Sequence, residues 1–452
     1  MTGDAFYTLA PDLLVLGIVV VLMLLETLRV GARAGQAVFV AGLLAALGFL
    51  SHQFAHGYAA TVVAGELGVD RLAILGKAVL LLCGLGVAAG FPGDTRPHKF
   101  WILAAASLLG GLLMLGSASF ATLFIGIEML SLPVFALIVL GRGRTTAASE
   151  GALKYLLLSS VASALFLFGA SLAYGITGSL RLDAFGGLFE GAGLQAQAAI
   201  LLVMSGLFLK AAVFPFHAWA PDAYAAARLP VTAFMASVVK AAVILALVRV
   251  FGPLPLTQPA MTVVATLAIV SIVYGNLAAL GQPTLRRLLA YSSIAHAGYM
   301  VFVLLDLTGN RAPDLLLYSV FYGLATVLAC ASFAVLCPGE DDRLARLDGQ
   351  FARRPVASLL LAAAMLSLAG VPPLPGFFAK VFVFRSVIAS GRVVAAALAF
   401  VGSFLGLAYY VGIMLRLFRP GAAPDGHAES SAQQSSAQQR EETIAYRNTG
   451  GG

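Results

Sequence analysis

One stretch of the sequence decides the fold, Ser205-Gly-Leu-Phe-Leu-Lys210-Ala-Ala-Val-Phe-Pro215. It places a lysine in a long apolar run, where a charge at the centre of a membrane helix costs about 2.5–3.5 kcal/mol. Five residues later, Pro215 lacks an amide hydrogen, so the carbonyl of Ala211 would lose its helical partner. A break beside a buried lysine is typical of the interrupted helices of membrane transporters.

The composition indicates that most of the chain lies in a membrane. Of its 452 residues, 60% are hydrophobic and 11% are charged, whereas a soluble domain is about 45–50% apolar and about 25% charged. These values exclude a soluble enzyme, and they exclude disorder for most of the chain. Long runs of Leu, Ala, Val and Gly without strict alternation predict helices rather than a transmembrane barrel. The predicted fold class is therefore an all-α polytopic membrane protein.

The apolar runs predict about thirteen transmembrane helices. The first run is full length and follows no basic region, so it predicts a retained helix rather than a cleaved signal peptide. The predicted spans cover residues 11–29, 36–56, 70–91, 99–116, 119–140, 150–176, 195–214, 230–251, 260–280, 284–305, 313–337, 355–388 and 393–418.

The loops predict the orientation of the chain in the membrane. Every second loop is basic, and the positive-inside rule places these loops in the cytoplasm. The N-terminus is then periplasmic, and an odd number of spans makes the C-terminus cytoplasmic. The net charge of +7 is accordingly a topology signal rather than a nucleic-acid site. The basic loops carry Arg29, Arg33, Arg96, Lys99, Arg142, Arg144, Arg228, Arg286, Arg287, Arg343, Arg346, Arg353, Arg354, Arg416 and Arg419.

Four ionisable residues lie inside apolar stretches, namely Glu128, Lys210, Lys240 and Lys380. Together they would cost roughly 10–14 kcal/mol on insertion scales, which is comparable to the stability of a whole domain. We therefore predict an ion or proton path, with Lys210 and Glu128 as its first unit. The alternatives are a structural ion pair at Glu128 and a side chain that snorkels to the interface at Lys210.

A second break is predicted just before Lys380. The segment Gly370-Val-Pro-Pro-Leu-Pro-Gly376 contains three prolines and two glycines, which must open a helix. Two lysines beside two breaks suggest an inverted repeat. We divide the chain into N-terminal transmembrane helices (1–98), a first repeat broken near Pro215 (99–251), a second, inverted repeat broken near 370–376 (260–419) and a polar tail (420–452). The tail contains a Ser/Ala/Gln repeat and is predicted to be disordered.

Other ionisable residues have a structural alternative of similar weight. Lys154 lies four residues after Glu150, where an i,i+4 pair or snorkelling would also explain it. His296 lies mid-span after Ser292 and Ser293, and an ordinary pKa near 6.5 suits a proton relay. Its alternative is a core histidine with satisfied hydrogen bonds. For Lys77, near a helix end, the structural interpretation is preferred, and His217 and Asp222, after the first break, would line an access path or cap helices.

The sequence predicts no cofactor or metal site in this chain. No two of Cys83, Cys330 and Cys337 form a C-x-x-C pair, so iron–sulfur and zinc sites lack support. The pair Gly141-Arg-Gly143 has no third glycine at the spacing of a dinucleotide-binding loop.

The segments that carry these residues resemble the antiporter-like membrane subunits of proton-pumping NADH:quinone oxidoreductase, respiratory complex I, and among them subunit N. The resemblance covers roughly residues 10–419, and bacterial members usually have a fourteenth span where this chain has its polar tail. The matching segments are Gly-Ile-Glu128-Met-Leu-Ser-Leu-Pro, Lys154-Tyr-Leu-Leu, Lys210 through Asp222, Asn276-Leu-Ala-Ala-Leu, Arg286 through His296, and Ser367 through Lys380.

The resemblance implies a role for each buried charge. Glu128 and Lys210 would be the coupling pair, Lys240 a central relay, His296 a bridge between the halves and Lys380 the terminal proton donor or acceptor. It also implies a bacterial inner membrane and the other complex I subunits as partners. Flavin, iron–sulfur clusters and quinone would be bound by those partners and not by this chain.

Two other functions stay open at the level of the sequence. The chain could be a subunit of a multisubunit cation/proton antiporter, which exchanges ions without redox partners. It could also be a membrane scaffold whose charges form static ion pairs.

Overall fold

A computed structural model describes residues 3–92, 97–141, 146–189, 193–252 and 256–420. The predicted tail beyond Pro420 and the predicted loop arginines Arg96, Arg142 and Arg144 lie outside these residues. The described helices are α1 (Gly3–Thr27), α2 (Ala32–Ala55), α3 (Arg71–Gly90), α4 (Pro97–Gly116), α5 (Phe120–Gly141), α6 (Thr146–Thr177), α7 (Leu194–Ala211), α8 (Trp219–Ala226), α9 (Leu229–Phe234), α10 (Lys240–Phe251), α11 (Gln258–Leu280), α12 (Leu285–Phe302), α13 (Arg311–Leu336), α14 (Gln350–Arg353), α15 (Pro355–Ala369), α16 (Pro375–Ala389) and α17 (Val393–Phe418). The strands β1 (Ala60–Val62) and β2 (Leu67–Val69) form an antiparallel hairpin between α2 and α3.

The prediction of an all-α polytopic membrane protein with broken helices is confirmed. Twelve helical spans in the described residues are long and apolar enough to cross a membrane. The predicted span 355–388 is not one helix but two, α15 and α16, of 15 residues each. Each is about 22 Å long and so falls short of the roughly 30 Å hydrocarbon core. End to end they supply a thirteenth crossing.

The loops lie on two faces of the helix bundle. The hairpin loop bonds to the α4–α5 loop through a backbone bridge between Leu67 and Ser117, and we call this side the hairpin face. On the opposite side, Thr284 before α12 bridges to Arg343 after α13, and we call this side the arginine face. The two broken helices run in opposite directions, because α7 starts at the hairpin face and α15 starts at the arginine face. An inverted repeat requires this relation.

The centre of the bundle is the span Leu229–Phe251 together with α12. In its most apolar stretch, the span Leu229–Phe251 is completely buried, and α12 is 94% buried. The corresponding stretches of α1 and α17 are only about one-third buried. A single π-helical turn, Met235–Val239, joins α9 to α10, and the sequence did not predict it. Such turns occur often at functional sites, and this one ends directly before Lys240. The two most enclosed helices therefore carry two of the predicted relay residues, Lys240 and His296.

Candidate functional site: a line of buried charges across two helix breaks

The first break begins with a left-handed turn. Helix α7 ends at Ala211, and Ala212 adopts φ 57°. The amides of Ala212 and Val213 bond back to the carbonyls of Leu209 and Phe208 at 3.2 and 3.0 Å. This pattern is a Schellman motif, which usually has glycine at the left-handed position. The helix therefore ends four residues before Pro215, earlier than the predicted limit of 214.

The second break repeats the same backbone motif. Helix α15 ends at Ala369, and Gly370 adopts φ 84°. The amides of Gly370 and Val371 bond to the carbonyls of Ser367 and Leu366, both at 3.0 Å. Here the left-handed residue is glycine, as the motif prefers.

A lysine ammonium binds the last helical carbonyl at each break. Lys240 Nζ donates to the carbonyl oxygen of Ala211 at 2.6 Å and to that of Ser293 at 3.2 Å. Lys380 Nζ donates to the carbonyl oxygen of Ala369 at 2.8 Å. The end of a helix leaves carbonyls without partners, and the negative end of its dipole favours a cation. Both lysines are buried, and among the described residues neither forms an ion pair with a carboxylate.

Lys210 points away from the break that its own helix makes. Its Nζ donates to the hydroxyls of Ser131 and Ser159 at 2.9 and 2.5 Å, and it lies 3.7 Å from Glu128 Oε1. The hydroxyl of Ser163 donates to the same carboxylate oxygen. Glu128 and Ser131 are one turn apart on α5, and Ser159 and Ser163 are one turn apart on α6. Two helices thus present a hydroxyl-lined carboxylate to one buried ammonium.

A small cavity lies beside Lys210. Its volume is about 10 Å³, and its lining includes Ser131, Tyr155, Ser159 and Val239. A cavity of about this size can hold a single water molecule where polar groups are at hand, and here Lys210 and the two serine hydroxyls supply them. The lining also reaches Val239, the last residue of the π-helical turn before Lys240.

His296 connects α12 to α13 and α17. Its Nδ1 lies 2.8 Å from the hydroxyl of Tyr318 and its Nε2 lies 3.2 Å from the hydroxyl of Tyr410. Tyr410 also bonds to the hydroxyl of Ser292. Ser293, whose carbonyl accepts from Lys240, lies one helical turn before His296. Both ring nitrogens of this buried histidine thus face a tyrosine hydroxyl that can donate or accept a hydrogen bond.

Lys380 approaches the same region from α16. Its Nζ lies 4.9 Å from the centre of the Tyr299 ring, one turn after His296 on α12. A second cavity of about 10 Å³ is lined by His296, Tyr318, Ser367 and Gly376. His296 lies between two groups on α12 that contact the lysines, since Ser293, one turn before it, binds Lys240 and Tyr299, one turn after it, packs against Lys380. Glu128, Lys210, Lys240, His296 and Lys380 therefore form one line through the bundle, which we call the buried line. Lys240, His296 and Lys380 are buried, and the Lys210 side chain is 6% exposed, whereas the Glu128 side chain at the outer end is 30% exposed.

Lys154, also predicted as a site residue, does not lie in this line. Its ammonium forms ion pairs with Glu150 at 2.6 Å and Asp222 at 2.7 Å, and 43% of its side chain is exposed. Asp222 also binds Arg287 at 3.2 Å, so these groups form a network on the arginine face. His217 lies in the first break and stacks on Phe214.

The sequence reasoning missed several residues of the site. The serines of α5 and α6 around Lys210 and the tyrosines around His296 gave no signal of their own. Asp12 was also missed, and it forms a buried ion pair with Lys77 at 2.6 Å between α1 and α3. A carboxylate nine residues into an apolar helix was the signal that could have found it.

The part of the chain that the structure describes contains no group of three His, Cys, Asp or Glu residues that could hold a metal ion. Cys83, Cys330 and Cys337 are each buried and free.

Comparison with known proteins places this geometry in a family. Residues 117–406 match the family model described as NADH:quinone oxidoreductase/Mrp antiporter, TM. NADH-quinone oxidoreductase subunit N of Pelobacter propionicus is 52% identical over 422 residues, which cover 93% of this chain and 91% of that protein. NADH-quinone oxidoreductase subunit 14 of Thermus thermophilus is 43% identical over 72% of each chain.

Two solved structures have the same architecture. A chain of respiratory complex I from Thermus thermophilus superposes with a TM-score of 0.81 at 36% identity, over 91% of each chain. A chain of the Mrp complex from a Dietzia species gives 0.79 at 23% identity, over 94% of this chain and 82% of that one, which shows the fold alone. The resemblance inferred from the charged segments is confirmed, and the chain belongs to the antiporter-like transmembrane family of NADH:quinone oxidoreductase and Mrp antiporters.

Proposed function

We propose that this chain is a proton-translocating membrane-arm subunit of a bacterial NADH:quinone oxidoreductase. The relatives that bear that name cover nine-tenths of the chain. The observation that carries the proposal is the buried line from Glu128 to Lys380 across both helix breaks. A scaffold would gain little from these five ionisable groups, four of which have buried side chains, because apolar side chains of similar volume stabilise a core as well or better.

The contacts suggest how protonation is coupled to the shape of the breaks. A hydrogen bond from a charged donor contributes about 1.5–3 kcal/mol, and a neutral one contributes about 0.5–1.5 kcal/mol. Loss of the proton from Lys240 or Lys380 therefore weakens the bond that holds the last carbonyl of α7 or α15. If a nearby rearrangement changes the interaction energy of the lysine by one or two kcal/mol, the ratio of its protonated to its neutral form changes about tenfold.

Lys210 can gain or lose its proton when the distance between its ammonium and the Glu128 carboxylate changes. At 3.7 Å, Glu128 favours the ammonium form of Lys210, and the hydroxyls of Ser131 and Ser159 hold that ammonium in place. If the carboxylate moves away, the same buried ammonium loses its compensation, and a proton can pass to a water beside it. The cavity next to Lys210 has room for that water.

Redox chemistry belongs to partner subunits in this proposal. This chain would take part in the translocase reaction without binding NADH, flavin, iron–sulfur clusters or quinone. The arginine face would be cytoplasmic and the hairpin face periplasmic, in a bacterial inner membrane. Helices α4–α10 and α11–α17 would be the two inverted repeats, preceded by the N-terminal helices α1–α3.

The test is to purify a tagged chain from its native membrane in mild detergent. The proposal expects a large assembly that contains flavin and iron–sulfur absorbance and oxidises NADH with quinone. A cluster-free assembly of small membrane subunits with sodium-dependent proton exchange would contradict it and favour a cation/proton antiporter.

A further inference from the structure

We infer that Asp314 is an additional proton-carrying residue, which connects the region of Lys380 and His296 to an open cleft on the hairpin face. The inference rests on the proposed function, because it extends the same line of buried groups.

Asp314 is a buried carboxyl group without an ion-pair partner among the described residues. Only 4% of the residue is exposed, and its Oδ2 accepts a hydrogen bond from the hydroxyl of Ser386. Three charged groups act near it. Arg385 lies on the exposed side of α16, Asp306 in the loop before α13 adds a like charge, and Arg311 on its own helix is held by the carbonyls of Asp306, Phe251 and Gly252.

A structural role as a helix-end charge explains this position poorly. Asp314 lies in the first turn of α13, where a negative charge gains about 0.3–1 kcal/mol from the helix dipole and at most about 2 kcal/mol. Burial of an uncompensated ion costs several kcal/mol. Asp306 already accepts from the backbone amides of Thr308 and Asn310 at 2.8 Å each and so organises the loop before the helix. A second carboxylate is not needed for that purpose.

Asp314 lies near two helices that carry members or partners of the buried line. Tyr318 lies one turn further along α13, and its hydroxyl bonds to His296 Nδ1. Ser386, which bonds to Asp314, lies on α16 together with Lys380. The small cavity lined by His296 and Tyr318 has room for one water beside them. Asp314 is therefore bonded to α16 through Ser386 and lies one helical turn from Tyr318, the partner of His296, so that water is needed to complete the path to the buried line.

Polar contacts also lead from Asp314 towards the hairpin face. One turn after Ser386, the hydroxyl of Ser390 donates to the carbonyl of Ser386 at 2.9 Å and lies 3.3 Å from Asp306 Oδ1. Asp306 lines a cleft of about 730 Å³ that is open to the outside of the bundle. Asp70, Arg181, Asp183, Arg249 and Arg311 also line it.

The chemical step is a simple proton exchange. A proton that reaches the Asp314 carboxylate from the buried line converts it to a carboxylic acid. Passage of that proton by way of Ser386, Ser390 and Asp306, which lines the cleft, to a water of the cleft restores the Asp314 carboxylate and forms a hydronium ion there. The reverse order operates for uptake from this face.

The test uses the assembled complex in membrane vesicles and measures NADH-driven proton pumping and NADH oxidation together. Asp314→Asn keeps the shape and the Ser386 contact but cannot carry a proton. Because removal of a positioned proton carrier typically slows its step by about 10²- to 10⁴-fold, we expect pumping to fall by about tenfold or more. Asp314→Glu should restore most of it. Asp341→Asn is the matched control, since Asp341 pairs with Arg343 on the opposite face.

The outcomes separate this inference from the proposed function. If Lys210→Met loses pumping while Asp314→Asn pumps normally, the inference about Asp314 is wrong and the proposed function stands. If both variants pump normally, the proposed function fails as well. If Asp314→Asn and Asp314→Glu lose pumping equally in assembled complex, the residue is structural and the inference is overturned. A carboxylic-acid C=O stretch in infrared difference spectra of the complex, absent in Asp314→Asn, is the independent readout that the inference expects.

Discussion

At the first helix break the ammonium that binds the last carbonyl of α7 comes from a neighbouring helix, whereas at the second break it comes from the broken helix itself. Lys240 reaches Ala211 from α10, and Lys380 reaches back from α16 to Ala369. The backbone is nearly the same at both breaks, since each helix ends in a Schellman motif. The difference leaves Lys210, on the first broken helix, available for an ion pair with Glu128.

The comparison indicates a division of labour between the two breaks. The first break combines a capped helix end with a lysine–carboxylate pair that is surrounded by hydroxyls. The second break has a capped helix end and an aromatic ring, Tyr299, but no carboxylate paired with Lys380 in the described residues. In the proposed relay, charge separation would load or empty the first break, whereas the second would take its proton from His296, from water or, by our inference, from Asp314.

The largest effect on stability is expected at the second break. A Cβ on Gly376 would lie 1.8 Å from the carbonyl oxygen of Ser367, a distance that only a shift of the backbone can relieve. We expect Gly376→Ala to prevent accumulation of the assembled complex, measured on native gels. Gly412→Ala is the control, because a Cβ there meets nothing within 4 Å. Normal assembly of Gly376→Ala would show that the backbone at the second break can move to make room for the methyl group.

An exchange of the left-handed residues tests whether the two motifs are equivalent. Ala212 has φ 57° and Gly370 has φ 84°, and a left-handed residue other than glycine costs roughly 1–2 kcal/mol. We expect Gly370→Ala to lower the free energy of unfolding of the complex by roughly 1–2 kcal/mol. The new Cβ would also lie 2.9 Å from Lys380 Cδ, which adds crowding. Ala212→Gly should raise it by less than about 1 kcal/mol, because glycine also gains freedom in the unfolded chain. If Gly370→Ala and Ala212→Gly changed the free energy of unfolding by the same amount in the same direction, the two Schellman motifs would not be equivalent.

The smallest effect is expected on the arginine face. Lys154 forms two ion pairs that are partly exposed, and screening by solvent leaves such pairs with little net effect on stability. We expect Lys154→Met to leave the melting temperature of the complex nearly unchanged and the number of protons pumped per NADH close to that of the unmodified complex. A loss of pumping comparable to that of a buried lysine would return Lys154 to the proton path. Arg287→Met, which removes the other partner of Asp222, is the matched control.

The sequence predicted the elements whose cause is local. Pro215 and the segment 370–376 contain the residues that interrupt helices, so both breaks could be predicted from composition alone. The end of α7 at Ala211 could not, because a left-handed alanine is stable there only through the contacts around it. The capping of Ala211 by Lys240 was equally hidden, since it joins residues 29 positions apart through tertiary packing.

The charged residues of the candidate site could be predicted from the sequence, but the serine and tyrosine hydroxyls around them could not. A lysine or glutamate in an apolar helix is rare enough to stand out, and five of the six predicted residues lie in the buried line. Serine and tyrosine are ordinary in membrane helices, so Ser131, Ser159 and Tyr318 were visible only after folding. Asp314 was missed because its position at the start of α13 resembled a loop residue.

The most direct measurement is the number of protons pumped per NADH oxidised by assembled complex that carries Lys210→Met. The ion pair between Lys210 and Glu128 predicts a lower ratio with complete assembly, since Glu128 then faces no ammonium and the first break cannot be loaded. Glu128→Gln should lower the ratio in the same direction. An unchanged ratio in both variants, with assembly intact, would contradict the account and leave the pair as a static contact between α5 and α7.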